Sequence, residues 1–108
     1  MTVTATIDEL ASARVEGATL VDVREAGEYL DGHVPGARLM PMGQLASMTE
    51  ELDRSRPVYV ICASGNRSRA MADLLVRLGF DARSVDGGTT AWQTSGRTVV
   101  TGAHAGSA

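Results

Sequence analysis

Cys62 is the only cysteine of the chain, and it opens the stretch Cys62-Ala63-Ser64-Gly65-Asn66-Arg67-Ser68. A thiol followed by small residues, a glycine, a cation and a hydroxyl is suited to holding negative charge on sulfur. Gly65 allows backbone angles that bring successive N–H groups toward one point, and Ala63 and Ser64 are small enough to leave that point open. A helix beginning after the loop adds roughly half a positive charge at its N-terminus. Arg67 brings a fixed cation, and Ser68 a hydroxyl that can cap the helix or support a thiolate. In such a cup the Cys62 pKa falls below the free-thiol value of about 8.5. The thiolate is then a nucleophile, and the cup holds any terminal anion attached to it.

A cysteine ending a strand is often only a small buried hydrophobe. Here the order strand, cysteine, glycine-bearing loop, arginine and helix favours the nucleophile. Several nucleophile classes drop out. A cysteine protease needs a histidine base, and the one candidate before the C-terminal stretch, His33, lies far off between turn residues. A thioredoxin-like centre needs a second cysteine two residues on. A phosphate-binding nucleotide loop needs a glycine-lysine-serine/threonine run. Anion-directed cysteine chemistry remains, as sulfur transfer or phosphate-ester hydrolysis.

The elements that must position this loop are short apolar runs alternating with helix-like stretches. Residues 19–23, 37–40, 58–61 and 82–85 read as strands, with a short edge strand near residues 3–6. Helices are expected over 7–16, with Ile7, Leu10, Ala11 and Val15 on one stripe, and over 25–32 and 42–52. A fourth, over 67–79, is expected to present Ala70, Met71, Leu74, Leu75 and Leu78 on one face. This alternation predicts an α/β fold with a mostly parallel sheet and helices on both faces. In such sheets ligands bind at the carboxyl ends of strands, where Cys62 sits. Asp22 and Arg24 end another strand at the same edge and are expected to support the pocket, with Arg24 pairing to Glu28 one turn on. His33 is expected to make a buried backbone hydrogen bond rather than transfer protons.

Composition bounds the rest. The chain has 108 residues, 44% hydrophobic and 21% charged, with a net charge of −3. One domain over residues 1–100 is expected, followed by a flexible tail over 101–108 that contains His104. The acidic balance argues against a nucleic-acid partner, and no apolar run approaches the roughly 18 residues of a membrane span. With no export signal and a single thiol, a reducing cytoplasm is the expected location. Neither a metal site nor a cofactor is expected.

Three segments, in order and spacing, together with the opening helix, resemble the rhodanese-like sulfurtransferases of single-domain type: "LVDVREAGEYLDGHVPGARLMP", "VYVICASGNRS" and "VDGGTTAWQTSG". The resemblance implies a five-stranded parallel sheet and a Cys62 that takes a sulfane sulfur as a persulfide. It also implies a substrate pocket of Ala63, Ser64, Gly65, Asn66, Arg67 and Ser68. The partners it implies are a small-molecule sulfur donor such as thiosulfate and a cyanide or thiol acceptor, with a protein acceptor as a further option. Phosphatases of the same superfamily look like cysteine, five residues, arginine. Only the four residues from Ala63 to Asn66 lie between Cys62 and Arg67. The tighter bowl suits one sulfur atom better than a phosphoryl group. A non-turnover relay or anion-binding module is the alternative from another class.

Overall fold

The computed structural model describes residues 1–106; Ser107 and Ala108, the end of the expected tail, lie outside the described residues. Five strands, β1 (Thr4–Ala5), β2 (Thr19–Asp22), β3 (Arg38–Leu39), β4 (Val58–Ile61) and β5 (Ala82–Val85), form one sheet in the order β1-β5-β4-β2-β3. Every pairing is parallel. The five strands and their parallel sense agree with the sequence expectation.

β4 is buried along its whole length, and its alternation divides the core. Val58, Val60 and then Cys62 face one side, packed with Val21, Leu45, Ala72 and Leu75. Tyr59 and Ile61 face the other, packed with Leu10, Leu20, Tyr29 and Trp92. Helices α3 (Leu45–Met48) and α4 (Asn66–Arg77) therefore cover one face, and α1 (Ile7–Val15), α2 (Ala26–Asp31) and α5 (Gly88–Thr94) the other.

Local sequence accounts for the helix starts. Thr6 accepts from the Glu9 N–H at 3.0 Å while its own N–H donates to the Glu9 carboxylate at 2.8 Å, a reciprocal box that fixes the start of α1. Two expected stripes are corrected. On α1, Leu10 is the buried residue, with Ile7 and Ala11 packed beside it, whereas Val15 at the last turn points into solvent. On α4 the buried row is Ser68, Ala72 and Leu75, while Ala70 and Leu78 are exposed. The helix is turned so that the Ser68 hydroxyl, a polar group in any hydropathy pattern, enters the interior and is hydrogen-bonded there. The expected helix over 42–52 is shorter than the pattern suggests: α3 is one turn, followed by a 3-10 turn at Thr49–Glu51.

β2 leads through α2 to β3 on one side of the sheet, and β4 leads through α4 to β5 on the other. The two strands are neighbours, with Asp22 opposite Ile61. Their carboxyl ends thus flank the point where the chain's connections diverge, which is where parallel sheets open for ligands.

The C-terminal segment runs back over α2. His33 and Val100 exchange backbone hydrogen bonds at 2.9 Å in each direction, and Gly102 N–H donates to the Leu30 carbonyl at 3.0 Å. Residues 101–106, expected as part of a flexible tail, also contribute the Ala105 carbonyl, which accepts from Gly36 N–H at 2.8 Å. Buried His33 stacks on Tyr29 with ring centroids 3.6 Å apart, and its ring nitrogens face the carbonyls of Tyr29 at 2.7 Å and His104 at 2.8 Å.

Candidate active site

Cys62 follows β4 directly and keeps its phase, so its side chain enters the α4 face of the core and is 1% exposed. Gly65, at φ 115°, turns the chain into α4, a conformation that side-chain-bearing residues resist. That turn aims backbone donors at the sulfur. Gly65 N–H lies 3.1 Å from Sγ and Ser68 N–H, in the first turn of α4, 3.4 Å away. The Ser68 hydroxyl sits 3.4 Å from Sγ. Burial is the largest single influence on the thiol and raises its pKa. The Ser68 hydroxyl and the N–H groups of Ser68, Gly65 and Ser64 act against it, and the net pKa is lowered.

The loop is held from below by α5. The Cys62 carbonyl accepts from Thr89 N–H at 2.9 Å and from the Thr89 hydroxyl at 3.1 Å, and the Ala63 carbonyl accepts from Thr90 N–H at 3.0 Å. Gly88, at φ 59°, lets this helix start approach so closely; a Cβ there would overlap the carbonyl oxygens of Cys62 and Ala63.

The expected pairing of Arg24 with Glu28 is corrected, because both side chains have other partners. Arg24 forks onto the Asp22 carboxylate, with Nε and Nη2 contacts between 2.8 and 3.1 Å, and Nη2 also donates to the Gly32 carbonyl at 2.8 Å. Asp22 is 0% exposed and Arg24 6%, so this pair fastens the end of β2 to the turn before His33 from inside the molecule. Glu28 instead reaches across to Arg67, with two contacts of 2.7 and 2.9 Å. The bond to Arg67 is the main reason the Glu28 pKa is lowered to about 2. Arg67 therefore stands at the rim with its fork engaged, joining α2 to α4, while Ser64 and Asn66 are exposed.

The sequence reading missed Glu28 as the Arg67 partner and Ser84 as part of the site. Ser84 is 0% exposed and its hydroxyl lies 2.8 Å from that of Ser68. The only signal for Ser84 is a hydroxyl within a short strand, between Arg83 and Val85. Nothing local ties Glu28 to a residue 39 positions later.

Comparison with known proteins returns one consistent set. The rhodanese-like domain family matches residues 6–95. A thiosulfate sulfurtransferase GlpE of Pseudomonas syringae pv. syringae is 36% identical over 89 residues, covering 82% of this chain and 84% of the relative. One of the same name from Pseudoalteromonas translucida is 33% identical, covering 74% and 77% respectively. Among solved structures, a rhodanese-related protein of Thermoplasma volcanium superposes with a TM-score of 0.84 at 32% identity, covering 91% of this chain and 97% of its own. A rhodanese-like domain protein of Staphylococcus aureus does so at 0.77 and 34% identity, covering 85% and 91%.

Proposed function

This chain belongs to the rhodanese-like domain family, and from that premise we propose that it is a sulfurtransferase working through a Cys62 persulfide. Relatives at 33–36% identity carry the name thiosulfate sulfurtransferase, which supports thiosulfate as a donor. The observation that carries the reading is the convergence of Gly65 N–H, Ser68 N–H and the Ser68 hydroxyl on one buried sulfur whose pKa is lowered.

The Cys62 thiolate attacks the sulfane sulfur of thiosulfate. The bond between the two thiosulfate sulfurs breaks, its electron pair leaves with sulfite, and Cys62 is left as a persulfide with one negative charge on the outer sulfur. Cyanide or a thiolate then attacks that outer sulfur. It departs as thiocyanate or as the acceptor's persulfide, and the Cys62 thiolate returns. No proton changes hands, so no general base is needed. The N–H groups of the first turn of α4, which have no intrahelical partners, suit the outer sulfur. Arg67 presents its guanidinium at the rim in a neutral pair with Glu28. With no second cysteine in the sequence, an outside nucleophile must discharge the persulfide.

Intact-mass spectrometry after exposure to thiosulfate tests this. The wild type gains the mass of one sulfur atom and loses it on adding cyanide; Cys62→Ala gains nothing and does not turn over. Sulfur transfer at undiminished rate by Cys62→Ala would end the proposal. The burial of Cys62 favours a second reading, in which a protein acceptor must open the loop. Formation of the adduct with no discharge by cyanide or small thiols would select it.

A further inference from the structure

β5 carries a hydroxyl where the packing calls for an apolar side chain. Ser84 follows Ala82 on the face that α4 covers, and it is 0% exposed. A buried hydroxyl without a partner is costly. Among the described residues, the one hydrogen-bond partner of Ser84 Oγ is Ser68 Oγ, 2.8 Å away.

The direction of that bond follows from counting hydrogens. Each hydroxyl has one hydrogen to give and two lone pairs to receive with. Ser68 Oγ has two other neighbours, the Gly65 carbonyl at 3.1 Å and Cys62 Sγ at 3.4 Å. The Ser84 hydrogen has nowhere else to go, so Ser84 donates to Ser68. The Ser68 hydrogen is then left for the carbonyl or for the sulfur. While Cys62 is a thiol, Ser68 accepts from both Ser84 and the S–H and donates to Gly65. Once the sulfur is ionised, Ser68 turns its hydrogen onto it without losing the Ser84 bond.

We propose that Ser84 is a positioning residue for the sulfur chemistry: it orients the Ser68 hydroxyl toward Cys62 and, by polarising it, strengthens its bond to the anionic sulfur. The assignment rests on the reading of Cys62 as an ionised nucleophile. The charged groups around the cup are already paired, Arg67 with Glu28, Arg24 with Asp22 and Arg69 with Asp86, and none of them touches Ser84.

The test is the pH profile of Cys62 alkylation by iodoacetamide, followed by intact mass, which needs no sulfur transfer and stays readable if turnover fails. Ser84→Ala and Ser84→Val both remove the hydroxyl. Each is expected to move the profile to higher pH, slowing alkylation near neutrality about three- to tenfold while leaving the high-pH plateau unchanged. Ser84→Thr, which keeps the hydroxyl, is expected to restore the profile. In a Ser68→Ala background, Ser84→Ala should add no further shift, because its effect passes through Ser68. A Ser84→Ala profile that overlays the wild type, or a full shift persisting without Ser68, overturns the assignment. An unchanged thiol profile with lost sulfur transfer counts against it as well, since the defect would then lie elsewhere.

Discussion

At Cys62, burial and hydrogen bonding act on the thiol in opposite senses, and the hydrogen bonds win. Sulfur uptake should therefore rise with pH and reach half of its plateau at a lower pH than an ordinary thiol would, as a rate profile with thiosulfate will show. The same shift links to stability. A thiol whose folded pKa lies below its unfolded one contributes fully above the unfolded value and loses that contribution as pH falls through the folded value. Urea melts of wild type and Cys62→Ala should thus diverge as pH rises from the folded toward the unfolded thiol value, with the wild type gaining. Glu28 titrates far lower, at about 2, through its bond to Arg67. Its contribution is present above the unfolded carboxyl value and vanishes as pH falls toward 2. The two side chains are 37% and 35% exposed, so solvent screening keeps the loss in Glu28→Gln to under about 1 kcal/mol. That gap should close in melts at acid pH, and a gap that persists there would assign the loss to packing instead.

At the scale of elements, the start of α5 decides the shape of the cysteine loop. Gly88→Ala would force a side chain into the left-handed region and against the carbonyls of Cys62 and Ala63. Strain alone costs about 1–3 kcal/mol, and the displaced loop should also react more slowly with thiosulfate. Gly27 inside α2 is the control: nothing lies within 4 Å of an added Cβ, and Gly27→Ala should stabilise by about 0.5–1 kcal/mol. Thermal melts of the two variants should move in opposite directions. This level also shows what a linear pattern conveys. The continuous apolar run of β4 and the loop from Cys62 to Ser68 are local, and both are legible. The phase of α4 is not, because it depends on a hydroxyl satisfied by β5. The partners of Arg24 and Glu28 are not either. Sequence spacing favours the i to i+4 pair, whereas the fold brings Asp22 beneath one and Arg67 opposite the other.

Over the whole molecule, the long returns of a parallel sheet bring together residues from β2, α2, β4, α4, β5 and α5. The last described residues reinforce this from outside, where Gly102, His104 and Ala105 engage Leu30, His33 and Gly36. Deleting residues 101–108 removes three hydrogen bonds among the described residues and should lower stability by about 1–3 kcal/mol in urea melts, with the thiol profile retained. No helix among the described residues is long and apolar enough to cross a membrane.

The carbonyls of Cys62 and Ala63 rest on N–H groups that come more than two dozen residues later, at Thr89 and Thr90. During synthesis the ribosome delivers the sulfur well before the strand and helix that shape its surroundings. Until they emerge, the Cys62 and Ala63 carbonyls lack the Thr89 and Thr90 donors that hold the loop in place. On the proposed reading, an interrupted copy lacking Thr89 and Thr90 would carry Cys62 on a loop without its underpinning, and should take up sulfur more slowly.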